Sequence, residues 1–230
     1  MHGQWRDATF AEYAKIPLEN CIPLSQPLLA KPEDGGLEYA VEDLAQIPRP
    51  SVPFSGLRDI DVKVGETVIV SPATGAFGAA AQVAVAIGAR VIAMGWDNAK
   101  LSSLKEKFGN SQVETVTMTG DPETDTAALR AFGQSDAFFD ISPPAAAAST
   151  HIKSGILALR HSGCVSLMGG FRDDTGIPHV RVMHWNLRIQ GKWMHEQEDI
   201  FALLRMVERV NLKLGKSAGM MTVGALSLEE

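Results

Sequence analysis

The run "ETVIVSPATGAFGAAAQVAVAIGARVIAM" over residues 66–94 constrains the fold more than any other part of the chain. A β-branched stretch meets a turn of small residues, a helix-forming apolar segment follows, and a second β-branched stretch starts at Arg90. Strands joined through a helix lie parallel, so the run reads as a βαβ crossover. The turn carries Ala73, Gly75 and Gly78, the spacing of GxGxxG with alanine in first place. In such a turn the first glycine serves the bend, the second lets a phosphate reach the backbone, and the third lets the helix lie against the strand. Alanine serves at the bend when its φ is negative. Ala79, Ala80 and Ala81 then suit close packing of the helix, whose N-terminal amides and dipole favour a pyrophosphate.

Downstream, short β-like runs alternate with helix-like segments, the pattern of a parallel sheet covered on both faces. Strands are predicted over 66–71, 90–94, 113–118, 136–141, 164–168 and 186–193, six in all, as a doubly wound α/β sheet requires. Asp121, Pro122 and Glu123 open one helix, with Gly133 as its stop. Further helices are predicted over 98–108, with Gly109 beyond it, over 149–160, and over 198–214, ending before Gly215. The first sixty residues are punctuated by Pro and Gly in "AKPEDGG", "IPRP" and "SVPFSG". They read as loops and short elements, with one strand within 10–24.

At 230 residues and 45% hydrophobic composition, the chain can bury a sizeable core. A net charge of -6 without a basic block argues against sequence-independent nucleic-acid binding. Cys21 and Cys164, the two cysteines, make neither a disulfide framework nor a thiolate zinc site, which points to a reducing, cytoplasmic setting. Neither a polar N-terminus, "MHGQWRDATF", nor an apolar stretch broken by Gln82 and Arg90 suggests a signal or a membrane span.

Which dinucleotide the turn would hold depends on the end of the second strand. An acid about 20 residues past the glycines would bind a free ribose and repel a 2′-phosphate. That position holds Gly95, followed by Trp96, and Asp97 reads as the cap of the next helix. Lys100 is the nearest cation for a phosphate. NADP is therefore expected ahead of NAD.

"FAEY" at 10–13, "GLRDIDVKVGETVIVSPATGAFGAA" at 56–80, "FFDISPP" at 138–144, "ALRHSGCVSLMGG" at 158–170 and "LRIQGKWM" at 187–194 follow one another along nearly the whole chain. In this order they resemble the medium-chain dehydrogenase/reductase family, in particular its zinc-type alcohol dehydrogenase-like members. The resemblance implies a six-stranded Rossmann domain over 41–215, a remnant of a GroES-like catalytic β domain over 1–40, and a tail over 216–230. It also implies that the chain corresponds to an internal part of such a protein. By position it puts pyrophosphate at Thr74, Gly75, Ala76, Phe77 and Gly78, and adenosine at Gly95 and Trp96. The far half of the cofactor falls near Ile141 and Ser142, with nicotinamide near Gly169 and Gly170. The strand over 186–193, with Asn186 and Trp193 at its ends, becomes the pairing edge of a homodimer.

The implied activity is hydride transfer between NAD(P)H and an alcohol, carbonyl or activated alkene. Zinc is not expected, because the one ligand position of the family within this chain falls near Ile47 and Pro48, neither of which binds metal. His2, His151, His161, His179, His184 and His195 show no HxxxH or HExxH spacing. No Ser-His-Asp arrangement is legible, Cys164 reads as a small buried hydrophobe, and no catalytic side chain is named. The alternative is a non-catalytic dinucleotide-binding or dimerisation module.

Overall fold

A computed structural model describes residues 13–73, 79–109 and 111–218. The chain divides into two compact units, Met1–Ile47 with Ile200–Glu230, and Pro48–Asp199. The smaller contains the short helices α1 (Gln26–Leu29) and α2 (Val41–Leu44). Its Tyr39 hydroxyl accepts from Leu214 N at 3.3 Å, and Asp43 Oδ1 accepts from Lys216 N at 3.0 Å.

The larger unit runs α3 (Pro48–Asp59), β1 (Thr67–Ser71), α4 (Ala79–Ile87), β2 (Arg90–Gly95), α5 (Asn98–Phe108), β3 (Val113–Thr117), α6 (Pro122–Arg130), β4 (Ser135–Asp140), α7 (His151–Ala158), β5 (Leu159–Leu167), α8 (His179–His184) and β6 (Arg188–Gly191). A last helix, α9 (Gln197–Glu208), begins in this unit and continues in the other. The six strands form one sheet in the order β3-β2-β1-β4-β5-β6, every pair parallel, as the sequence pattern predicts. Ligands of such sheets bind beyond the carboxyl ends of the strands where the order reverses, which here is between β1 and β4.

β4 shows how the layers are held apart. Phe138 and Phe139 point to opposite faces, as neighbours in a strand must, and both are fully buried. Each ring lies beneath a helix glycine. A Cβ on Gly155 of α7 would sit 2.6 Å from two Phe138 ring carbons, and one on Gly56 of α3 would sit 2.7 Å from Phe139 Cε2 and strike Met168 Sδ. α6 and α7 pack together on the Phe138 face, α3 and α4 on the other. On the Phe138 face the core includes Ile69, Ile92, Met94, Ile152, Ile156 and Val165.

Local signals explain most element ends. Asp97 caps α5 by accepting from Lys100 N at 3.1 Å, and Asp121 caps α6 by accepting from Thr124 N at 2.7 Å. Gly109 and Gly133 follow at φ +79° and +99°.

Four expectations are corrected. The prolines of "IPRP" and "SVPFSG" do not break the chain but lie in α3. Pro48 and Pro50 occupy the first turn, where an N–H has no helical partner, and burial of Phe54 and Leu57 offsets the bond missing at Pro53. The strand expected within 10–24 does not form over described residues 13–24, where Leu18–Asn20 is a single 3₁₀ turn after Pro17. α7 ends at Ala158 rather than running to 160. There β5 takes over, because Leu159 enters the ladder opposite Ser135 and Arg160 Nε donates to Asp136 Oδ1 at 2.5 Å. α9 stops at Glu208, and Val210, at φ +60°, turns the chain away before 214.

Candidate functional site

The site begins where β1 and β4 end. Ser71 and Asp140, the last residues of the two strands, are register partners across the reversal of strand order, and Ile141 N donates to Ser71 O at 3.2 Å. Ser71 is fully buried, yet its hydroxyl has no hydrogen-bond partner among the described residues. Such a group is costly unless something satisfies it. Ala73 is buried, donates from N to Met94 O at 2.9 Å, and is not among the residues of positive φ. Alanine at the bend is therefore compatible with the turn. The predicted pyrophosphate residues Thr74, Gly75, Ala76, Phe77 and Gly78 lie outside the described residues. Beyond them α4 opens with Ala79, Ala80 and Ala81 all buried, the close approach that small side chains permit.

At the end of β2 the structure brings together the residues expected at adenosine. Gly95 closes the strand, and the Trp96 indole is 55% exposed, leaning towards Gly120. The Lys100 ammonium is not free: it lies 3.2 Å from Asp97 Oδ2. The Lys100 amide, followed by its ammonium, holds the Asp97 carboxyl below its usual range. Both side chains face water, so this pair is weak and open to exchange with another anion.

On the other side, Ile141 and Ser142 follow β4 and are both buried, while Gly169 and Gly170 follow β5 and are half-buried. The two loops are stitched together, Met168 N donating to Asp140 O at 2.9 Å and Gly170 N to Ser142 O at 2.8 Å. A Cβ on Gly169 would collide with Asp140 Oδ2, whereas one on Gly170 would meet nothing closer than 3.8 Å. The four residues expected at the nicotinamide end are thus neighbours, and a side chain at Gly170 would make only ordinary contact with Pro144 and Ser142.

The sequence did not reveal the polar cluster beneath them. Asp140, Ser142 and His151 are 2%, 2% and 1% exposed. His151 Nε2 lies 3.1 Å from Asp140 Oδ1 and 2.5 Å from Ser142 Oγ, whose hydroxyl donates to the same carboxylate oxygen. Nδ1 lies 2.9 Å from Ser149 Oγ. This is not a nucleophilic triad, which places acid and hydroxyl on opposite ring nitrogens, because serine and carboxylate both meet Nε2 and the Ser142 proton is already given to Asp140. The signal available was only "STH" ahead of a helix, and contact across a loop has no spacing rule.

One further expectation changes in detail. Cys164 is buried, but it is not a plain hydrophobe, since Arg188 Nη2 donates to its Sγ at 2.8 Å. His195 packs on α3, its Nδ1 3.2 Å from Ser51 Oγ. Among the described residues, no group of three or more His, Cys, Asp or Glu could hold a metal ion, and no helix is long and apolar enough to cross a membrane.

With this geometry in place, comparison with known proteins is specific. The sequence matches the zinc-binding dehydrogenase family over residues 78–209, more than half of the chain. The chain belongs to the zinc-binding dehydrogenase family. Solved structures with the same fold include an NAD-dependent alcohol dehydrogenase, 26% identical, covering 89% of this chain and 56% of its own, TM-score 0.65. The quinone oxidoreductase of Thermus thermophilus, solved also with NADPH, is 24% identical over 89% of this chain and 62% of its own, TM-score 0.65. Galactitol-1-phosphate dehydrogenase from Escherichia coli is 21% identical over 89% and 57%, TM-score 0.70. No curated protein matches in sequence. This zinc-binding dehydrogenase chain spans under two thirds of the length of each of these structures. Although the family is named for zinc, the described residues bring no metal-ligand set to the site.

Proposed function

We propose that the chain binds a nicotinamide dinucleotide, NADPH in preference to NADH, across the carboxyl ends of β2, β1, β4 and β5, and serves oxidoreduction of an alcohol, carbonyl or activated alkene. The observation that carries the reading is the reversal of strand order between β1 and β4, where the buried Ser71 hydroxyl has no partner among the described residues. The family match and the NADPH complex of the Thermus enzyme support it.

Gly95, Trp96 and Lys100 receive the adenosine half, Thr74 to Gly78 the pyrophosphate, and Ile141, Ser142, Gly169 and Gly170 the nicotinamide half. Gly95 itself carries no carboxylate, and the exposed Lys100 ammonium, paired with Asp97 at 3.2 Å, can turn to a 2′-phosphate while the Asp97 carboxylate stays nearby. A nicotinamide bound there would supply hydride-transfer chemistry. The chain's own residues would fix where the cofactor lies, which is the part of catalysis that orientation provides.

We further place a second copy of the chain against β6. Among the described residues this strand pairs only with β5, leaving its other edge unpaired, and Trp193 and Met194 just beyond it are 81% and 45% exposed.

Titration with NADPH and NADH, read by cofactor fluorescence, tests the binding. A panel of aldehydes, quinones and enones with each cofactor tests turnover. The expected result is saturable NADPH binding tighter than NADH. Binding without turnover on any acceptor would favour a non-catalytic dinucleotide module, and no binding of either cofactor would refute the reading.

A further inference from the structure

We propose that His151 is a positioning residue for the nicotinamide half of the cofactor, acting through the loop over 141–150. This inference rests on the dinucleotide reading above and assigns a role that the reading does not contain. In a fold of this strand order the adenosine half lies towards β2 and the pyrophosphate at the end of β1, so the remaining half lies over β4 and β5. The loop that follows β4 must therefore hold its shape against a ligand. Four short polar side chains, those of Asp140, Ser142, Ser149 and His151, tie that loop to β4, and His151 is at their centre.

The chemistry of the cluster is directional. A carboxylate only accepts, so the Asp140 Oδ1 contact at 3.1 Å makes Nε2–H a donor. In the neutral ring, Nδ1 then accepts from the Ser149 hydroxyl at 2.9 Å. Asp140 Oδ1 also accepts from Ser142 N at 3.2 Å and from the Ser142 hydroxyl. The imidazole thus spans the loop from its beginning at Ser142 to its end at Ser149. It also meets Phe138 and Phe171 edge-on, at centroid distances of 6.5 Å and 6.1 Å, which restrains the ring.

Asp140 carries the same constraint to the second loop. Its Oδ2 lies where a Cβ of Gly169 would be, and the adjoining backbone bonds tie 168–170 to 140–142. Two loops that bound the nicotinamide end therefore share one buried carboxylate, oriented by His151. Leaving that carboxylate with one fewer donor costs more than the bond itself is worth, because the group stays buried. The loop would shift to regain a partner, and Ser142 and Gly170 would shift with it.

The test compares two ligands, NADPH and 2′-phospho-ADP-ribose, which has everything in NADPH except the nicotinamide ring. His151→Leu removes the ring's polar contacts to Asp140, Ser142 and Ser149 and keeps an apolar volume. It is expected to weaken NADPH by about tenfold while leaving 2′-phospho-ADP-ribose within about twofold of the unaltered protein. His151→Gln keeps an N–H towards Asp140 and is expected to restore most of the NADPH affinity. Ser149→Ala, at a half-buried site, is expected to weaken NADPH by a smaller factor, about threefold, and carries the comparison if the leucine variant does not fold. Equal losses for both ligands, or no loss for either, in a folded variant would overturn the positioning role. Failure of the unaltered protein to bind NADPH would overturn the dinucleotide reading and this inference with it. Binding of NADPH that ignores position 151 would overturn the inference alone.

Discussion

Substituting Gly155 by alanine should destabilise the larger unit, although it improves the local helix. Gly155 is the fifth residue of α7, and alanine is favoured over glycine in a helix interior by about 1 kcal/mol. Against this, the new methyl would lie 2.6, 2.6 and 2.8 Å from three carbons of the Phe138 ring. Carbon atoms prefer about 3.5–4.0 Å, so the ring or the helix must give by about 1 Å. Phe138 has little freedom to do so, being fully buried with the His151 ring against it. Overpacking of this kind costs about 1–3 kcal/mol, and the bond network of His151 lies one turn away on the same helix. The net expectation is a loss of up to about 2 kcal/mol, measured by urea unfolding followed by far-ultraviolet circular dichroism. Phe138→Leu in the same background supplies a control with direction. The double variant should be less destabilised than the sum of the singles by about 0.5 kcal/mol or more, since the shorter side chain makes room for the methyl. A Gly155→Ala protein more stable than the parent by about 1 kcal/mol would mean that helix and sheet have slack between them, and the close-approach argument would be wrong.

Three other outcomes follow from the same structure. Lys100→Ala should weaken NADPH by about twofold to fivefold and leave NADH unchanged in side-by-side fluorescence titrations, the effect shrinking as salt is raised. For Asp199, burial pushes the carboxyl up, but hydrogen bonds from Ser55 and the Glu196 amide, with the charges of Arg58 and Lys192, outweigh it and hold the group below its usual range. A depressed folded value gives stability that is present above about pH 4 and lost as pH falls through the folded value, so Asp199→Asn should cost about 1–3 kcal/mol at neutral pH and flatten the acid limb of the stability curve. Trp193→Asp should leave a monomer in size-exclusion chromatography with light scattering where the parent is a dimer; a parent that is itself monomeric would remove β6 as the pairing edge.

The sheet was legible because its strands are short β-branched runs set off by turn residues, and such runs have few alternatives. β1 and β2 could be placed from "TVIVS" and "RVIAM" within a residue of their ends. α5 and α6 were equally readable, since Asp97 and Asp121 cap them through bonds to residues three positions on. Reading failed where a distant contact outweighs local preference. Three prolines disguised α3, whose formation depends on burying Phe54 and Leu57. Helical periodicity ran past Ala158, yet pairing with Ser135 claims Leu159 for the sheet. Around the strand ends, the placement of Gly95 at the end of β2 and of Gly169 and Gly170 after β5 could be read along a recognisable pattern. The Asp140, Ser142 and His151 cluster could not, since nothing in "FFDISPPAAAASTH" states that the loop doubles back to bring its two ends within hydrogen-bonding reach.

The seating of Met168 beneath Gly56 has a consequence for damage. A Cβ at Gly56 would already strike the thioether sulfur, so on that side there is no room for an added oxygen. Conversion of Met168 to its sulfoxide would make the side chain polar and larger where α3 rests on β4 and β5, prising the helix outward. Loss of the melting transition under peroxide should therefore track oxidation of Met168, followed by peptide mass spectrometry, rather than that of the exposed Met183 and Met194.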